Sequence, residues 1–158
     1  MTPIQITIPT IFAVAAIAMC FFKRLPACLV AFAAYVAAGL LGVINVPIEQ
    51  YLIWGFISLA DTFNIYASEL KPTRAMRLYT VVGCFVGCLL GTVAGSIAAV
   101  LVAGALGAIL GFLAFTRTPQ GRSNPQPLSR RLSLFADTAC TAWFTFALSA
   151  VVLAAVFA

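Results

Sequence analysis

Apolar residues in this chain gather into long runs, and the polar residues between them are few and short-ranged. Six runs can be drawn, at about 4–22, 27–46, 51–68, 79–96, 97–115 and 132–157. Each is close to the ~20 residues an α-helix needs to cross ~30 Å of hydrocarbon. Six of the eight prolines (Pro26, Pro47, Pro72, Pro119, Pro125 and Pro127) fall between runs, where a residue without an N–H does least harm. Pro3 and Pro9 lie at or near the start of the first run, where an early helical turn tolerates them. The stretch 79–115 shows no polar break. As one helix it would be about 55 Å long, nearly twice the hydrocarbon thickness. The pattern therefore predicts two helices joined near Gly95 and Ser96.

Composition supports this reading. Hydrophobic residues make up 63% of the chain and charged residues 8%, with a mean hydropathy of +1.10. A soluble domain carries about 25% charged residues because its surface must face water. The predicted fold class is an all-α integral membrane protein: one transmembrane domain over 1–158, a bundle of about six helices in which the lipid bilayer is the main partner.

Charge then orients the bundle. Lys23 and Arg24 follow the first run; Lys71, Arg74 and Arg77 follow the third; Arg117, Arg122, Arg130 and Arg131 follow the fifth. With six spans all nine bases fall on one side, which the positive-inside rule makes cytoplasmic, and both termini fall outside. Treating 79–115 as a single span would misplace four arginines. Tyr51 and Trp54 are expected at the outer interface, and Phe21, Phe22, Tyr79 and Phe115 at the inner one. The linker from Arg117 to Arg131 reads as a flexible basic loop. The bases flank apolar runs and form no stripe interleaved with aromatics, so nucleic acid is not an expected partner. The N-terminal run is followed, not preceded, by its positive charges, which marks a first span and not a secretory signal.

Candidate chemistry is sparse. The chain has no histidine, and its five cysteines (Cys20, Cys28, Cys84, Cys88 and Cys140) form no CxxC pair. No metal or cofactor site is expected. Cys84 and Cys88 share a helix face and read as small apolar packing. Nothing resembles a hydrolytic motif, and no loop is large enough for a soluble active site, so an enzyme is not expected. Asp61 and Asp137 lack the glycine context of an intramembrane protease dyad.

Three intramembrane patterns stand out. Gly83, Gly87, Gly91 and Gly95 recur every fourth residue, and Ala99, Ala103, Gly107 and Gly111 repeat the spacing on the next run. In lipid, helices associate through close backbone approach, so these rows predict a tightly packed helix pair and a homo-oligomer seam. Ser133, Asp137, Thr141, Thr145 and Ser149 form a hydroxyl-rich row along the last run, about 24 Å long. It reads either as a polar packing seam or as a substrate path. Asp61 and Asp137 lie roughly 12 Å and 9 Å from the cytoplasmic edge by residue count. An intramembrane carboxylate is costly and points by default to function. Ser58, Asn64 and Ser68 lie near Asp61 and would complete a polar pocket; alternatively Asp137 pairs with a snorkelling Arg77 or Arg130 and fixes packing.

The stretches LPACLVAFAAYVAAGLLG (Leu25 to Gly42), GCFVGCLLGTVAG (Gly83 to Gly95) and AGALGAILGF (Ala103 to Phe112) occur in that order. In this the chain resembles bacterial domain-of-unknown-function family 456, small glycine-rich inner-membrane proteins. Ala103 and Gly104 stand where that family has Gly-Pro, and Phe112 stands where it has an acid. The resemblance implies a multi-pass topology in a bacterial inner membrane and no particular activity. The expected function is a small permease or channel-like protein with Asp61, Asp137, Asn64, Thr141 and Thr145 as its polar determinants; the alternative is a non-catalytic scaffold or envelope-biogenesis accessory.

Overall fold

The computed structural model describes residues 2–22, 25–69 and 71–158; Lys23 and Arg24, on which part of the charge argument rests, lie outside the described residues. The described chain is all-helical: α1 (Pro3–Phe21), α2 (Ala27–Leu40), α3 (Ile48–Ala67), α4 (Arg74–Val93), α5 (Ile97–Arg117), the single turn α6 (Pro119–Arg122) and α7 (Leu128–Phe157). Four of them, α1, α4, α5 and α7, are long and apolar enough to cross a membrane.

The other two expected spans deviate for different reasons. Helix α2 stops at Leu40, short of the predicted 46. Gly42 adopts a left-handed φ of 71°, its N–H bonds the Gly39 carbonyl at 3.0 Å, and the Val43 N–H bonds the Ala38 carbonyl at 2.8 Å. That is a Schellman stop, and it leaves α2 with 14 residues, about 21 Å. Helix α3 has 20 residues, but its carboxylates, amides and hydroxyls dilute its apolar character. The predicted break in 79–115 falls at 94–96. Gly95 has φ 71° and donates to the Thr92 carbonyl at 3.0 Å, while Ser96 caps α5 by accepting from the Ala99 N–H at 3.1 Å. The basic linker is more ordered than expected. Thr118 caps α6, its hydroxyl oxygen accepting from the Gly121 N–H at 3.1 Å, and α7 already begins at Leu128.

The contacts divide the chain into two compact units: 1–67 with 144–158, and 68–143. Helix α7 runs through both.

In the first unit α1 and α2 pack antiparallel through alanine. Ala13 and Ala16 meet a stripe of Ala31, Ala34 and Ala38, with Leu148, Val152 and Val156 of α7 closing the core. Methyl-sized side chains let the helix axes approach closely, as small residues do in lipid. Gln5 ties two helix ends together. Its Oε1 accepts from the Thr2 N–H at 2.7 Å, completing a capping box with Thr2, and its Nε2 donates to the Leu41 carbonyl at 2.8 Å. Helix α3 lies antiparallel to α2: the ring of Phe32 packs over Gly55, the hydroxyl of Tyr51 over Gly39, and Tyr35 donates to Gln50 Oε1 at 3.1 Å.

In the second unit α4 and α5 form an antiparallel hairpin with backbone on backbone. A Cβ built on Gly83 would strike the Gly107 carbonyl oxygen; one on Gly87 would strike that of Ala103; one on Gly111 would strike that of Tyr79. At Gly91 the Val100 Cα would lie 2.5 Å away. Gly95 departs from this set. Around its missing side chain there is open space, so its role is the left-handed turn and not the packing expected of it. Helix α7 joins the hairpin antiparallel to α5. Phe112 stacks on Phe135 with centroids 4.6 Å apart, and the Trp143 indole donates to the Leu101 carbonyl at 2.8 Å, lying over Gly104. Met76, Phe112, Phe115 and Leu134 form the core at the other end. Phe115, expected at the inner interface, is 1% exposed and belongs to that core, whereas Phe22 and Tyr79 remain exposed.

Candidate functional site

The polar residues singled out in the sequence divide between the units. Asp61, Asn64 and Thr145 belong to the first, and Asp137 and Thr141 to the second.

Asp61 is half-buried on α3, one turn beyond Ser58 on the same helix face. Ser58 is fully buried, and its hydroxyl lies 3.3 Å from the Cys28 thiol of α2. Thr62 returns its hydroxyl to the Ser58 carbonyl at 2.8 Å. Ser58, Asp61 and Thr62 thus bring a carboxylate and two hydroxyls to one side of α3, with a thiol from α2 closing the inner edge. Asn64 is exposed and Ser68 half-buried, so the pocket sketched around Asp61 has Ser58 as its buried wall. Cys28 was missed at the sequence level: its proximity depends on the α2–α3 register, which Gly39 and Gly55 set by admitting aromatic rings from the opposite helix.

The row on α7 changes character along its length. Ser133 is exposed, Asp137 and Thr141 are half-buried, and Thr145 and Ser149 are fully buried. Thr141 donates to the carbonyl of Asp137 at 3.1 Å, and Thr138 to that of Leu134 at 2.8 Å. These hydroxyls satisfy their own helix, as serine and threonine commonly do in apolar surroundings. Ser149 differs, donating across to the Ala13 carbonyl of α1 at 3.4 Å within the first unit.

None of the five cysteines is in a disulfide. Cys84 and Cys88 are buried on α4, and a Cβ on Gly104 would lie 2.5 Å from the Cys88 sulfur, so this pair fills space in the hairpin. Comparison with family models, with curated proteins and with solved structures finds no match for the chain.

Proposed function

We propose that this is a six-helix inner-membrane protein acting as a small permease or channel-like protein for an ion or small solute, with Asp61 and Asp137 as its polar determinants. The observation that carries the reading is the placement of the half-buried Asp61 one turn from the fully buried Ser58 on α3. A carboxylate held there beside hydroxyl oxygens suits transient binding of a proton or a small cation. Asp137 stands at the junction of the exposed and buried halves of the α7 row, where a solute would leave interfacial water.

The basic side is cytoplasmic in this reading. That assignment does not depend on whether α2 and α3 both cross the bilayer or both remain on one side, because the pair changes the count of crossings by two. Lys71, Arg74 and Arg77 stay on the side of Arg117 and Arg122 either way. Close glycine approach holds α4 against α5, and assembly into a homo-oligomer is a further part of the reading.

Flux assays on purified protein in liposomes test the assignment. Asp61→Asn and Asp137→Asn are each expected to lower proton- or cation-coupled flux at least about tenfold, equivalent to ~1.4 kcal/mol of barrier. Unchanged flux in both variants would sink it. A second reading, a non-catalytic scaffold, draws on the hydroxyl of Thr141, which returns to its own backbone and leaves the row with fewer groups for a passing solute. It expects no flux in the unsubstituted protein and a loss of thermal stability in both variants.

A further inference from the structure

The net charge of the chain, +5, resides entirely in the second unit: its seven bases face two acids, while Lys23 and Arg24 balance Glu49 and Asp61 in the first. Within that unit the bases are not spread out. The α4–α5 register, with Gly91 beside Val100 and Gly111 beside Tyr79, brings Arg74 and Arg77 to the level of Arg117. The contact of Leu134 with Met76 and Phe115 brings the first turn of α7, with Arg130 and Arg131, to the same end. Helix α6 places Arg122 there too, and the Arg131 guanidinium reaches the Gly121 carbonyl at 3.5 Å. The opposite end of the hairpin, at 94–96, carries no charge. Of the two acids, Glu69 precedes α4 and Asp137 lies about 9 Å further into the unit than Arg131.

A second feature says what such a surface meets. Leu128 and Leu132, one turn apart at the start of α7, are 59% and 46% exposed beside Arg130 and Arg131. Exposed leucines interleaved with arginines at a helix end suit the boundary between headgroups and acyl chains, where the leucines enter hydrocarbon and the guanidiniums stay with phosphate. A soluble anion or a polynucleotide would use the arginines and leave the leucines in water.

The geometry points to this end of the second unit as a binding surface for anionic phospholipid headgroups, with Arg122 and Arg130 as exposed phosphate contacts and Leu128 and Leu132 as the acyl-side anchor. It concerns a different unit from Asp61 and does not depend on transport.

The test is titration of the full-length protein in non-ionic detergent with fluorescent phosphatidylglycerol, competed by unlabelled phosphatidylglycerol, phosphatidylcholine of the same chains, or inorganic phosphate. Phosphatidylglycerol is expected to compete at least about thirtyfold better than phosphatidylcholine, at about fivefold per engaged cation. The double variant R122Q/R130Q is expected to lose most of that preference, and R122K/R130K to keep it. Both side chains are exposed, so the fold is retained, and circular dichroism verifies this. Equal competition by the two lipids would overturn the proposal, as would an unchanged preference in R122Q/R130Q. Competition by inorganic phosphate at concentrations matching the lipid would also overturn it, by making a free anion the ligand.

Discussion

Replacing Gly87 by alanine sets a Cβ against the Ala103 carbonyl oxygen, whereas the same change at Gly42 meets open space at a left-handed φ of 71°. The two sites therefore rank substituents in opposite orders. At Gly87 volume decides: alanine is expected to cost about 2–3 kcal/mol and asparagine more, because the helices must part. At Gly42 backbone conformation decides: alanine is expected to cost about 1 kcal/mol and asparagine less, since asparagine tolerates the left-handed region. Reversible unfolding in mixed micelles reads both orders, and the same order at both sites would refute the distinction. Spacing alone does not separate the two roles. Gly95 continues the four-residue row of Gly83, Gly87 and Gly91, yet it is a turn residue because the helix ends two positions before it.

Among elements, the ones legible in the sequence were those whose limits are set by length and capping. The division of 79–115 follows from the thickness of a bilayer, and Ser96 supplies the cap. The end of α2 was hidden because Leu41 to Val46 stays largely apolar; one left-handed glycine stops the helix without changing the hydropathy. Helix α6 was hidden because Pro119 and Gly121 read as loop residues, although proline suits a first helical turn and Gly121 leaves room for the Phe115 carbonyl. The role of Gln5 was equally invisible, since its second partner is 36 residues away. Gln5→Leu removes one bond at each of two helix ends. Amide exchange is expected to quicken at residues 2 and 4–6 and at 42–44 together, by about fivefold for a bond worth ~1 kcal/mol. Faster exchange at only one of the two segments would show that Gln5 does not couple them.

For the whole molecule, membrane character and the basic side follow from runs and charges, which need no knowledge of packing. The candidate site was legible only in part. Asp61 and Ser58 share a helix, so their proximity is local, but the buried partner Cys28 depends on how α2 meets α3. The alanine faces of the first unit escaped notice because alanine is common enough in apolar runs to carry no visible pattern, whereas seven glycines between 81 and 112 do. Sidedness is open to direct measurement. In cells expressing a cysteine-free background, a membrane-impermeant maleimide is expected to label Thr2→Cys in intact cells and Arg122→Cys only after permeabilisation. Labelling of Arg122→Cys in intact cells would reverse the assigned orientation.

The 30 residues of α7 extend about 45 Å and serve two cores, supplying Leu134 to one and Leu148, Val152 and Val156 to the other. This has a consequence for biosynthesis. The ribosome emits α7 after every other element it packs against, so neither core can close while the earlier helices are entering the membrane. Until then the alanine faces of α1 and α2 and the Met76–Phe115 contact lack a wall. At translation rates of about 5–20 residues per second, the earliest helices wait several seconds for their last partner. Insertion and final packing are thereby separated in time, and the first helices depend on lipid or an insertion factor to cover them meanwhile.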